Sequence, residues 1–138
     1  MAIEIKTPIG DAFDKLSILE IKLENVKDEV QRENIQNELN YLQDKLKPFW
    51  DNGGDELKEI YSRLKKTNGQ MWVIEDSVRL LEKKKLFNEE FVEYARAVYY
   101  TNDRRAAEKK EINHLLNSEF FEEKISQIQT YLVNTKKL

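Results

Sequence analysis

Apolar residues recur along this chain at intervals of three and four, the spacing that gathers side chains on one face of an α-helix. The first stripe takes in Ile9, Phe13, Leu16, Leu19, Ile21, Leu23, Val26 and Val30. Thr7-Pro8 precedes it and reads as N-cap plus first helical residue, since threonine can accept from an orphan N–H and proline has none to satisfy. A second stripe through Ile35, Leu39, Leu42 and Leu46 closes before Pro48, because a proline disfavours helix at the residue ahead of it. Together they predict a helical hairpin over 8–47, followed by a loop over 48–54 that contains Gly53-Gly54.

Past that break the remaining helices are expected over 55–133. Asp55 is placed to cap a helix carrying Leu57, Ile60, Tyr61 and Leu64, and the pattern continues after Gly69 through Met71, Trp72, Ile74, Val78 and Leu81. Asn88 caps the next helix, with Glu89-Glu90 in the first turn where the helix dipole favours acids. Its apolar side runs through Phe91, Tyr94, Val98 and Tyr99, crosses the polar band Thr101-Asn102-Asp103, and resumes at Ala106, Ile112 and Leu115. Ser118 starts a last helical piece with Phe120, Phe121, Ile125, Ile128 and Leu132, and residues 134–138 fray. At the other end, alternation over 2–6 sets Ile3 and Ile5 on one side of a short extended segment. The expected fold is therefore a single all-α domain over 1–138, an antiparallel bundle of about five helices with a short N-terminal strand.

Composition narrows the function classes. The chain has 138 residues, 40% hydrophobic and 36% charged, with 4 Gly and 2 Pro, a balance that favours long helices over a many-turned sheet. Twenty-three Lys and Arg against 26 Asp and Glu leave a net charge of −3, so no general attraction to nucleic acid or to an anionic membrane is expected. No apolar run approaches the roughly 18 residues of a membrane span, and MAIEIKTP has no signal-peptide apolar region. The absence of cysteine removes disulfides, thiolate metal sites and thiol nucleophiles, which makes the cytoplasm the expected location. The one histidine, His114, cannot supply a multi-imidazole zinc site, and neither a metal nor a cofactor is expected.

Searches for familiar catalytic patterns fail. The four glycines form neither a phosphate-binding loop nor a dinucleotide fingerprint. No serine has a nucleophile-elbow context. Acid pairs three residues apart, as helical nucleotide pyrophosphatases use for magnesium, occur at Asp11/Asp14, Glu56/Glu59, Glu90/Glu93, Glu108/Glu111 and Glu119/Glu122, about as often as chance would place them. A short helical chorismate mutase needs an arginine early in its first long helix, whereas the first here is Arg32.

What remains is charge placed among apolar neighbours. In GDAFDKLSILEIK (10–22), Asp11, Lys15 and Lys22 share one side, and Glu20 lies near the apolar stripe. In WVIEDSVR (72–79), Glu75 and Asp76 sit between bulky apolar residues, with Arg79 four positions beyond Glu75. In ARAVYYTNDRRAAEKKEIN (95–113), Asn102, Arg105 and Lys109 stack along one helix face, Arg104 and Glu108 share another, and Asp103 falls near Tyr99. Arginine suits bidentate capture of carboxylate or phosphate, and the same fork binds a protein carboxylate such as Glu20, Glu75 or Asp76.

These three stretches, followed by Glu122-Glu123-Lys124, resemble a domain-of-unknown-function family of short helical bacterial proteins, over most of the chain. Where the family pattern continues that tripeptide with Ser-Tyr, this chain has Ile125-Ser126. The resemblance implies a compact helical domain without an assigned activity. It marks Asp14, Lys15, Glu20, Lys22, Glu75, Asp76, Arg79, Asn102, Asp103, Arg104, Arg105, Lys109 and Asn113 as motif members.

Two functions stay open at this level. One is a non-catalytic binding or assembly module with an internal charge network, self-associating as a homodimer or engaging a protein partner. The other is a small enzyme or binding protein for an anionic metabolite (phosphate, carboxylate or sugar-phosphate). There Arg104, Arg105 and Lys109 would hold the anion with Asn102, Lys15, Glu20 and Arg79, and Glu75, Asp76 or Asp103 would serve as acid or base. Geometry separates them: an open concave site lined by these groups favours the ligand, and mutual pairing favours the network.

Overall fold

The computed structural model describes residues 1–126 and contains three helices, α1 (Ile9–Asn25), α2 (Glu29–Lys83) and α3 (Glu89–Leu115). The fold is all-α as expected, but neither the five-helix count nor the N-terminal strand holds. Residues 1–8 have no regular structure, and Ile3 and Ile5 are 84% and 76% exposed. A lone extended segment has no ladder to stabilise it, so alternation alone does not make a strand.

Boundaries moved for identifiable reasons. The first helix stops at Asn25 rather than Val30 because Asp28 starts α2, its side chain accepting from the Gln31 N–H at 2.9 Å. Val26 and Val30 continue the apolar spacing, which conceals that cap. Thr7 does not cap α1; the cap position is Pro8, and the Thr7 hydroxyl donates to Asp11 at 3.4 Å. Asn88 does cap α3, accepting from the Phe91 N–H at 3.0 Å. No helix begins at Ser118. Its hydroxyl accepts from the Ile9 N–H at 3.0 Å and donates to the Phe120 carbonyl at 2.6 Å, tying an irregular segment to the start of α1. The rest of the helix expected through 133, and the frayed tail, lie outside the described residues.

The expected loop over 48–54 shrinks to one residue. α2 runs through Pro48 to Gly53, and only Gly54 leaves helical geometry, with φ 57° and ψ −147° that a side chain would oppose. The proline forfeits one backbone bond, a cost of about 3 kcal/mol in a helix interior. Continued burial of Leu46, Phe49, Trp50 and Leu57 on either side offsets it.

At Gly54 the helix folds back on itself. Trp50 and Tyr61 lie edge to face with ring centroids 5.1 Å apart, and Ile35 and Trp72 line one cavity. In a straight helix the latter pair would be roughly 55 Å apart. The described residues thus form a bundle of four rods: α1, the two limbs of α2, and α3. Lys15–Glu38 at 2.8 Å sets α1 against the first limb, and Arg63–Glu111 at 2.9 Å sets α3 against the second. Phe13, Leu16, Leu19, Leu39, Leu46, Leu57, Ile60, Leu64 and Ile112 meet in the centre.

α1 and the first limb of α2 end near Trp72, where Asn25, Gln31 and Ile35 gather. Beyond it, among the described residues, the second limb and the first half of α3 have only each other, forming a two-helix arm over about 73–100. Leu81 is buried inside the arm, whereas Val73, Leu80, Phe87 and Val92 are exposed.

The difference between bundle and arm is measurable. Leu64→Ala, at a fully buried position, is expected to cost about 2–5 kcal/mol in urea unfolding. Leu80→Ala on the outer arm is expected to stay within about 0.5 kcal/mol in the monomer.

Candidate functional site

The candidate site is built where α1, the second limb of α2 and α3 come closest. Their approach depends on Gly10: a Cβ there would lie 2.4 Å from the Lys109 carbonyl oxygen, so only glycine fits. The Gly10 N–H donates to Asn113 Oδ1 at 2.7 Å, giving a buried tie between α1 and α3.

One helical turn along α1 lies Asp14, 5% exposed. Arg105 grips its carboxylate with two bonds, Nε to Oδ1 at 2.8 Å and Nη2 to Oδ2 at 2.5 Å. Asn68 from α2 donates its amide to Asp14 Oδ1 at 2.9 Å and to Ser17 Oγ at 2.7 Å, while the Ser17 hydroxyl donates to the Asp14 carbonyl. Three helices therefore converge on one carboxylate. Asp14 raises the already high affinity of the Arg105 guanidinium for its proton, against the opposing effect of burial.

Beside it, Lys109 stands between two acids, 3.1 Å from Asp11 Oδ1 and 2.6 Å from Glu122 Oε2. Burial pushes the Asp11 carboxyl up, and Lys109 only partly offsets this. Glu122 is held below the usual carboxylate range by Lys109. Burial works to lower Lys109, but Glu122 and Asp11 outweigh it and hold the ammonium above its ordinary value. Glu122 belongs to the irregular segment after α3, which returns along that helix so that Lys124 also pairs with Asp103. A small cavity of about 140 Å³ lies between that segment and α3, lined by Lys109, Lys110, Asn113, Glu122 and Lys124.

The remaining candidates distribute as follows. Arg104 is exposed and donates to Gln70 of α2. Asn102 is half-buried with no side-chain hydrogen bond among the described residues. Lys15 pairs with Glu38 on the surface. Glu20 accepts from the Tyr61 hydroxyl and lies 3.6 Å from Lys65, which also holds Glu24 at 2.9 Å. Glu75, Asp76 and Arg79 are exposed on the arm and have no ion pair among the described residues. The structure thus brings Arg105 and Lys109 together, and sets Glu75 and Asp76 apart from both.

Sequence reasoning passes over Ser17 and Asn68, meets Glu122 only in the Glu119/Glu122 pair and the Glu122-Glu123-Lys124 motif, and gives Asp14 no partner. Asn68-Gly69 inside a helical pattern was the available signal for a buried polar member of α2. Glu108 is also buried, at 4% exposure, and its Oε1 has no hydrogen-bond partner among the described residues. Among the described residues no group of His, Asp or Glu is arranged to hold a metal ion, and no helix is long and apolar enough to cross a membrane.

Two outcomes test this arrangement. Arg105→Ala leaves Asp14 buried and unpaired, which is expected to cost about 2–4 kcal/mol, toward the lower part of the range for broken buried pairs because Arg105 is 29% exposed. Arg104→Ala should cost under about 1 kcal/mol in the same urea titration. For Glu122, a folded-state pKa below its unfolded value means a contribution that is present above the unfolded pKa and lost as pH falls through the folded one. Glu122→Gln should therefore be slightly less stable than the parent at neutral pH and converge with it as the solution is acidified.

No curated protein and no solved structure gives a match. A family model described as "Family of unknown function (DUF6165)" matches residues 1–137, nearly the whole chain. The chain whose Gly10, Asp14, Arg105 and Lys109 join in this way belongs to the DUF6165 family.

Proposed function

We propose that this protein is a non-catalytic helical assembly module, in which the charged motif locks the bundle and the α2–α3 arm meets a protein partner. The observation that carries this reading is how the cationic groups are used. Arg105 is taken by Asp14, Lys109 by Asp11 and Glu122, and Arg104 by Gln70. An anion competing for Arg105 would have to displace a bidentate carboxylate supplied by the same chain. Glu75 and Asp76, the expected acid–base candidates, are exposed on the arm and set apart from those cations. Apolar side chains exposed together on the arm are, by contrast, what a partner surface requires.

A thermal-shift screen against inorganic phosphate, nucleotides, sugar phosphates, dicarboxylates and divalent cations tests the reading. A ligand at a hundred times its dissociation constant stabilises the folded state by about 2.7 kcal/mol and must raise the midpoint. No shift is expected from any of them. A saturable rise with one anion, abolished in Lys109→Ala, would establish the metabolite site instead.

A further inference from the structure

The outer face of the second limb of α2 carries the features of a self-complementary surface. Val73 and Leu80 are seven residues apart, hence on one face, and are 62% and 51% exposed. Seven residues further, at the tip, Phe87 is 57% exposed, with Leu86 beside it. On the same face toward the bundle, Gly69 has open space where a side chain would be. There, Ile21, Gly69, Trp72 and Val73, together with the charged Lys65 and Lys66, line a cavity of about 440 Å³.

The apolar tip and the open cavity thus lie on opposite sides of Leu80 along the chain. Charge follows the same order. Asp76 lies four positions before Leu80 and Lys84 four positions after it, both exposed and without an ion pair among the described residues. Eight residues apart on one arm, they are too distant to pair with each other.

Resting on the assembly reading above, we infer that the partner of the arm is a second copy of this chain, laid antiparallel across it about a two-fold axis at Leu80. Leu80 of one copy meets Leu80 of the other. Phe87 and Leu86 of each copy fill the other's cavity at Gly69, Trp72 and Val73, and Asp76 of each faces Lys84 of the other. A two-fold interface repeats each contact, so every knob finds a socket and every acid a base.

Sedimentation velocity on the full chain, with a charge-exchange set, tests this. The parent is expected to dimerise. Asp76→Lys and Lys84→Asp each place like charges opposite one another twice and should weaken the dimer by at least about tenfold. The double variant Asp76→Lys/Lys84→Asp restores opposite charges across the axis and should recover the parent's affinity to within a few-fold. Leu80→Glu, at an exposed position that leaves the bundle intact, should give a monomer. The pairing is overturned if the parent stays monomeric across the micromolar range, or if the double variant is no tighter than the two single ones. Either result leaves the assembly reading standing unless the ligand screen also shows a bound anion, so the two failures are told apart.

Discussion

The structure depends on the burial of one carboxylate. Taking Asp14 out of water is unfavourable by several kcal/mol unless its charge and lone pairs are met, and the bundle meets them from three directions. Arg105 supplies the opposite charge in a fork, Asn68 supplies a neutral donor, and Ser17 links the two on the α1 side. Each partner comes from a defined turn of a different helix or of α1 itself. Satisfying Asp14 therefore specifies the register of α1 against α2 and α3 in a way that interchangeable leucines do not.

Around that point the other polar contacts act as positional aids. Gly10 lets α1 approach the backbone of α3, and Asn113 converts the approach into a hydrogen bond. Lys109 carries the association outward to Glu122, so that the irregular segment after α3 is held by charge and by Ser118 while Phe120 and Phe121 remain exposed. Apolar burial supplies most of the stabilisation in the centre, and the polar layer selects one arrangement among the many that burial alone would allow. The arm is what remains once α1 and the first limb of α2 end near Trp72, and it exposes Val73, Leu80 and Val92, where the helices of the bundle expose Val30 and Tyr41.

Much of this was legible in the sequence, for physical reasons that also explain the rest. Helical periodicity identified the all-α class, and the cap at Asn88 was read correctly because Asn followed by two acids has a single local meaning. Pro48 reads as a stop because its local cost is visible in the sequence, whereas the burial of Trp50 and Leu57 that overrides it is not. Gly53-Gly54 does mark the reversal: Gly54 turns the chain, and a Cβ at Gly53 would lie 2.4 Å from the Leu57 Cβ. The alternation at Ile3 and Ile5 lacked the partner strand that sequence spacing cannot supply. At the site, Arg105 and Lys109 were recognisable as charges misplaced among apolar residues. The partner of Arg105 is not, because Asp14 lies 91 positions away along the chain, and Asn68, which bonds Asp14, lies 54 positions from it. Glu75 and Asp76 look equally misplaced in sequence, yet they fall on the part of α2 that α1 does not cover.

The central claim is that Asp14 and Arg105 act as one structural unit. A double-mutant cycle measures it directly, comparing the urea unfolding free energies of Asp14→Ala, Arg105→Ala and the double variant. Replacing both should cost less than the sum of the two single changes, with a coupling energy of about 1–3 kcal/mol. Additivity within about 0.5 kcal/mol would contradict the account.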